Sequence, residues 1–272
     1  MTDRYAVIGN PVAHSKSPLI QAAFARVTAQ DLVYERILAP LDGFARTVAA
    51  FAAEGGMGLN VTVPFKVQAH ALARTLTERA RVAGAVNTLR RDADGWLGDN
   101  TDGVGLVRDL RDNLGVALAD RHILILGAGG ATRGIVVPLL EARPRTLTIA
   151  NRTVDKAVML AADFAAHGEV RAASTAALEG RRFDVVIHAT SGGVRNEDRH
   201  AWPSTLFARD AFAYDLSYAD VPTEFLRWAH EHGVVRSADG LGMLIEQAAE
   251  SFFMWRGVRP DTRAVFGLLR PA

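Results

Sequence analysis

Asn60, Thr62, Lys66, Asn87 and Asp102 stand at strand ends or in the first turns of helices, where side chains reach a ligand more readily than a core. Lys66 is the most telling of them. Pro64-Phe65-Lys66 opens a helical stretch through Val67, Ala71 and Leu72, so the ammonium sits in the first turn, at the unfavourable end of the helix dipole. A lysine so placed is a usable general acid/base near neutral pH. The plainer alternative is a surface lysine bent into solvent. Asp102 also reads two ways, as a partner for that lysine or as an ordinary helix N-cap. Ser15 and Ser17 form a third feature. Two serines beside a helix N-terminus can hold an anionic group such as a carboxylate; equally, Ser17 followed by Pro18 fits the cap and first residue of a helix.

A second constellation begins at Ile123. Ile123-Leu124-Ile125-Leu126 reads as a buried parallel strand, Gly127-Ala128-Gly129-Gly130-Ala131 as a tight turn, and Gly134 to Leu140 as an apolar helical face. Such a strand, turn and helix holds a dinucleotide pyrophosphate. Gly127 permits the turn, Gly129 lets the backbone approach phosphate, and the helix start supplies unpaired N–H groups. Thr132 takes the place of the last glycine of G-x-G-x-x-G, so the motif alone is also compatible with a glycine-rich turn. The next strand, Arg145 to Ala150, decides. It ends in Asn151-Arg152-Thr153, with Lys156 shortly after, where an NAD site places Asp or Glu on the ribose 2′-hydroxyl. Arg152, Thr153 and Lys156 instead offer charge and hydroxyl to a 2′-phosphate, which points to NADP. Against this stands a helix capped by Thr153 between solvated cations.

The elements that must position these residues are those of an α/β protein. Strands are expected at Tyr5–Gly9, Leu32–Leu38 and Leu59–Val63, with helices between them starting near Ser17 and Phe44. Asp92-Ala93-Asp94-Gly95 makes a hairpin of the flanking runs Ala85–Leu89 and Trp96–Gly98. From His122 strands and helices alternate, which demands a parallel sheet with crossovers. Its further strands are Phe183–Ala189, Phe212–Leu216 and Val234–Arg236, and Thr190-Ser191-Gly192-Gly193 follows a strand's carboxyl end, where nucleotide ligands sit. A long apolar helix starts at Gly240. The expected organisation is two domains with a cleft between them: residues 1–102, completed by 237–272, carrying substrate, and residues 103–236, a Rossmann-like NADP domain.

With 272 residues there is room for two such domains. Lysine plus arginine (31) nearly balance aspartate plus glutamate (30), so nucleic-acid and membrane electrostatics are not expected. No apolar run is long enough to span a bilayer, and no signal-peptide pattern precedes the first strand. Cysteine is absent, which removes disulfides and thiolate sites and fits a cytoplasmic enzyme. The histidines show no metal-ligand spacing, so no metal is expected.

The motifs together resemble the shikimate dehydrogenase family. They are Gly9-Asn10-Pro11 with His14-Ser15-Lys16-Ser17-Pro18, Asn60-Val61-Thr62-Val63-Pro64-Phe65-Lys66, Ala83-Gly84-Ala85-Val86-Asn87-Thr88, and Gly98-Asp99-Asn100-Thr101-Asp102-Gly103. Gly127 to Ala131, Asn151-Arg152-Thr153 and Asp239-Gly240-Leu241-Gly242-Met243-Leu244 continue the match, so it covers almost the whole chain. The resemblance implies NADPH-linked interconversion of 3-dehydroshikimate and shikimate by a monomer or homodimer. It implies Lys66 as the acid/base, paired with Asp102. Ser15 and Ser17 would take the substrate carboxylate, with Tyr218 nearby, and Asn60, Thr62, Asn87, Asp102 and Gln247 the ring hydroxyls. Gly127, Ala128, Gly129, Gly130 and Ala131 would cradle pyrophosphate; Asn151, Arg152, Thr153 and Lys156 would hold the 2′-phosphate. Leu216, Gly240 and, more weakly, Glu78 would approach the nicotinamide. His188 departs from the family, where asparagine is commoner, and so does Gly193; His188 is expected to be a strand histidine satisfied by backbone. Two alternatives are a quinate/shikimate dehydrogenase using NAD, opposed by the serine pair and Arg152, and a non-catalytic shikimate-binding regulator, opposed by intact Lys66 and Asp102.

Overall fold

The computed structural model describes residues 2–190 and 202–269, so Ser191, Gly192 and Gly193 lie outside the described residues. The chain forms two compact units, residues 1–105 with 244–272, and residues 106–243.

In the first unit, β1 (Asp3–Gly9), β2 (Leu32–Leu38) and β3 (Gly56–Val61) are joined through α1 (Ser17–Val27) and α2 (Phe44–Ala53). α3 (Lys66–Leu72), the two-residue β4 (Thr75–Leu76) and α4 (Glu78–Ala83) lead to the hairpin of β5 (Thr88–Asp92) and β6 (Gly95–Asp99). The sheet order is β2-β1-β3-β5-β6-β4, parallel through β1, β2 and β3 and antiparallel across β5. Ile8, Leu59, Val61, Phe65 and Leu89, all essentially inaccessible, fill the layer behind it. That packing fixes the carboxyl ends of β1 and β3, where the serine loop and Lys66 begin. α1 itself starts one residue earlier than a Ser17 cap requires: Lys16 occupies the N-cap without a side-chain hydrogen bond, and Ser17 is buried.

α5 (Asp102–Arg108) leads toward the second unit, followed there by β7 (His122–Leu126), α6 (Gly130–Glu141), β8 (Thr146–Asn151) and α7 (Val154–Asp163). Next come β9 (Val170–Ser174), β10 (Phe183–His188), β11 (Phe207–Asp215), α8 (Glu224–Glu231) and β12 (Arg236–Asp239). α9 (Leu241–Arg256) and α10 (Arg263–Leu269) complete the chain. The six strands pair in parallel in the order β12-β11-β10-β7-β8-β9, the order in which strands are added reversing beside β7. This is the doubly wound dinucleotide-binding order, and its switch point falls at the β7 glycine turn. The last strand starts at Arg236 rather than Val234, and β9 is an additional strand whose alternation is too polar to stand out in the sequence.

Gly240 and Gly242 are demanded by their neighbours. A Cβ on Gly240 would overlap the Leu216 carbonyl, and one on Gly242 would overlap the Asp109 carboxylate. Asp109 accepts the Tyr214 hydroxyl (2.7 Å), whose oxygen in turn accepts the Met243 N–H (3.2 Å). Burial and the adjacent Asp109 charge push the Tyr214 phenol well above its usual range, so it stays a donor. Gly242→Ala is therefore expected to cost about 1–3 kcal/mol by overpacking, measured as a lowered urea midpoint at unchanged slope.

Candidate active site

In the first unit a continuous polar network runs from the serine loop to α9. Ser15 Oγ donates to Ser17 Oγ (3.1 Å), and the Ser17 N–H donates to Ser15 Oγ (3.3 Å). Arg36 holds the Ser15 carbonyl through Nε (3.0 Å) and Nη2 (2.6 Å), which fixes the loop from β2. The Ser17 hydroxyl is hydrogen-bonded to Tyr34, and Tyr34 Oη donates to Asn60 Oδ1 (2.7 Å). Burial pushes the Tyr34 phenol well up, partly opposed by Ser17, so it too remains protonated. Asn60 Nδ2 donates inward to Ser251 Oγ (2.9 Å) and Thr88 Oγ1 (3.2 Å).

Asn87 is the junction. Its Nδ2 donates to Asp102 Oδ1 (2.7 Å), Thr101 Oγ1 (2.9 Å) and Gln247 Oε1 (3.3 Å), and its Oδ1 accepts the Thr101 N–H (2.8 Å). Lys66 is the first residue of α3, and its Nζ is ion-paired with Asp102 Oδ2. Asp102 is thus held from both sides, by an amide on one oxygen and an ammonium on the other. Lys66 keeps 22% side-chain exposure against 9% for Asp102, so the cation is the more accessible member of the pair. Half-buried Thr62 sits one turn before Lys66, its carbonyl accepting the Phe65 N–H (3.0 Å).

Beneath these residues lies a charged support that no local sequence pattern points to. Arg79 grips Asp99 through Nε (2.6 Å) and Nη2 and reaches Glu250 (3.1 Å), while the Asn100 N–H donates to Asp99 Oδ1 (2.7 Å). It braces the Asp99–Asp102 turn that presents the carboxylate. Tyr34, Thr88, Thr101 and Ser251 were likewise absent from the expected set. Glu78, on α4 of this unit, is exposed and ion-paired with Arg81.

In the second unit Gly127 has φ +116, a region that favours glycine, and the Thr132 hydroxyl closes the turn on its carbonyl (2.9 Å). α6 starts without a side-chain cap, and positions above Gly129 and Gly130 are open. Backbone N–H groups and free space are what a pyrophosphate requires, so the turn fits a dinucleotide. At the end of β8, Asn151 Nδ2 donates to the Thr153 carbonyl (2.9 Å), and Arg152, Thr153 and Lys156 are exposed. Thr153 is the α7 N-cap but makes no side-chain capping bond. Leu216 and half-buried Tyr218 follow β11 in this same unit. His188 is satisfied by side chains rather than by backbone: Nδ1 meets Asp215 Oδ1 (3.0 Å) and Nε2 meets Thr190 Oγ1 (2.5 Å). Among the described residues no group of three or more His, Asp or Glu could hold a metal, and no helix is long and apolar enough to cross a membrane.

Three family models match the chain in succession: the shikimate dehydrogenase substrate binding domain over residues 7–89, shikimate / quinate 5-dehydrogenase over 109–216, and the shikimate 5'-dehydrogenase C-terminal domain over 240–265. The chain belongs to the shikimate dehydrogenase family. A shikimate dehydrogenase (NADP(+)) of Nitrosospira multiformis is 59% identical over 270 residues, covering 99% of this chain and 98% of the relative. Among solved structures, an Ael1 enzyme from Pseudomonas putida superposes with a TM-score of 0.91 at 46% identity, covering 99% of each chain. Shikimate 5-dehydrogenase from Thermus thermophilus, in complex with NADP(H) and shikimate, superposes with a TM-score of 0.83 at 33% identity, over 96% of this chain and 95% of that one.

Proposed function

We propose that this enzyme reversibly reduces 3-dehydroshikimate to shikimate with NADPH, the first unit binding substrate and the second the cofactor. The observation that carries the catalytic assignment is the Lys66–Asp102 ion pair, fixed by Asn87 within a buried network of donors and acceptors. NADPH, when bound, supplies the hydride to the ketone carbon. Lys66 Nζ gives the proton to the ketone oxygen, and Asp102, itself held by Asn87, keeps Nζ in place. In shikimate oxidation the same nitrogen takes the proton back.

Ser15 and Ser17 would turn their hydroxyls from each other and Tyr34 onto the substrate carboxylate. Tyr218 would lie near that carboxylate, Asn60, Thr62, Asn87, Asp102 and Gln247 would meet the ring hydroxyls, and Glu78 would be a weaker contact on the nicotinamide side. The pyrophosphate would lie on Gly127 to Ala131, the 2′-phosphate on Asn151, Arg152, Thr153 and Lys156, and the nicotinamide toward Leu216 and Gly240. The absence of cysteine fits a reducing, cytoplasmic setting.

Initial rates with shikimate and quinate, each with NADP and NAD, test the reading. Shikimate with NADP is expected to dominate kcat/KM. Equal turnover of quinate with NAD would make it a quinate/shikimate dehydrogenase, and binding without turnover a regulator. Replacing Ser15 and Ser17 together by alanine is expected to raise the KM for shikimate, since each hydrogen bond to a charged group is worth roughly 1.5–3 kcal/mol. Thermal melting should move little. A lower melting temperature with KM unchanged would return the serines to shaping the loop.

A further inference from the structure

We propose that His188 is a positioning residue for the nicotinamide half of the cofactor, acting by fixing the Thr190 hydroxyl as a hydrogen-bond acceptor beside the glycine turn. This rests on the reading of Gly127 to Ala131 as the NADP loop. The chain of donors has one consistent direction. Asp215 Oδ1 accepts the Ser217 N–H (3.0 Å) and Oδ2 accepts the Thr223 hydroxyl (2.6 Å). A carboxylate engaged in that way takes a donor from the imidazole, so Nδ1, at 3.0 Å, carries the ring proton. In the neutral ring Nε2 is then an acceptor, and Thr190 Oγ1, at 2.5 Å, gives it its single proton.

The ring cannot readily turn over to reverse this. It is 1% exposed, stacked on Phe225 with centroids 5.0 Å apart and edge-on to Trp202 at 5.7 Å. The Thr190 proton is therefore committed inward, and only lone pairs remain on Oγ1 for a ligand. Thr190 also lies against the turn: its Cγ2 is 3.0 Å from where a Cβ on Gly127 would stand.

Direction along the sheet says which part of the cofactor this is. β7 pairs with β8 on one side and β10 on the other, with His188 level with Leu126. The cations read as holding the adenosine 2′-phosphate follow β8, so from the pyrophosphate at the turn the nicotinamide half runs toward β10. An acceptor there suits a ribose hydroxyl or the carboxamide N–H and opposes a phosphate oxygen. His188 thus sets hydrogen-bond polarity at a contact it does not make itself.

Isothermal titration of NADP and of 2′,5′-ADP, which has the 2′-phosphate but no nicotinamide half, separates the possibilities. Thr190→Val removes the acceptor at nearly constant volume and leaves the His188 packing intact. His188→Asn keeps a donor for Asp215 and removes the far ring nitrogen. Each variant is expected to raise the Kd for NADP about tenfold, as for one lost hydrogen bond. The Kd for 2′,5′-ADP and the KM for shikimate should stay unchanged. The double variant should be no weaker than the weaker single, because both act on one contact. An unchanged NADP affinity in Thr190→Val, equal losses for both ligands, or multiplying losses in the double variant would overturn the proposal alone. A wild-type protein that binds neither ligand would overturn the cofactor reading and this inference with it.

Discussion

Lys66→Ala is expected to lower kcat by about 10²–10⁴, the usual worth of a positioned acid/base. Shikimate affinity should change far less, because the residues around it stay in place without the lysine. Asn60 is held by Tyr34, Ser251 and Thr88, and Asp102 keeps its bond from Asn87. The fold should survive as well. Lys66 is half-buried at the first position of α3, where a cation gains nothing from the helix dipole, and alanine is a better helix former. The measurement is kcat with shikimate at saturating NADP, beside direct binding of shikimate and a thermal melt. Retention of kcat within a factor of about three, well short of the acid/base range, would assign the proton to another group. A parallel collapse of melting temperature would mean that the ion pair serves stability.

The placement of Lys66 and Asp102 is legible in the sequence because it is local in kind: each opens a helix, and each is a polar residue where the apolar pattern breaks. The glycine turn was legible for the same reason, since Gly127 needs a positive φ and only the turn itself demands it. The residues that orient the site were not legible, because their partners are remote. Ser251 meets Asn60 across 191 positions and Arg79 meets Glu250 across 171, and neither residue type announces such a contact. Tyr34 sits on a strand whose burial alternates while its residue types, Leu-Val-Tyr-Glu-Arg-Ile-Leu, do not, so the sequence carries no sign that its hydroxyl reaches Asn60. His188 shows a related limit. A histidine ending an apolar strand predicts burial, but its dependence on Asp215 and Thr190 emerges only when β10 and β11 are laid side by side. Short elements fared worst: the two residues of β4 carry no period, and β12 is displaced toward its own polar end, where pairing with β11 outweighs the apolar Val234-Val235.

Arg152→Ala is expected to raise the KM for NADP about tenfold while leaving that for NAD nearly unmoved. A 2′-phosphate carries close to two negative charges and three acceptor oxygens, and a guanidinium meets it with two parallel hydrogen bonds. NAD offers only a hydroxyl there. The end of β8 holds no carboxylate to accept from that hydroxyl, and Asn151 is turned onto the Thr153 carbonyl. One charge-assisted contact of roughly 1.5–3 kcal/mol corresponds to about 10- to 150-fold in affinity. The effect should fall near the lower end for two reasons. Arg152 is exposed, so solvent screens the pair, and Lys156 and Thr153 stand close enough in sequence to retain part of the attraction. The preference for NADP therefore narrows without reversing, and reversal needs an acid at position 151 as well, to give the NAD ribose its acceptor. Raising ionic strength should erode the wild-type advantage for NADP more than the variant's, which ties the loss to charge. A variant that loses NADP and NAD in equal measure would show that Arg152 shapes the loop, and a wild-type enzyme that turns over NAD as well as NADP would remove the 2′-phosphate from Asn151-Arg152-Thr153 altogether.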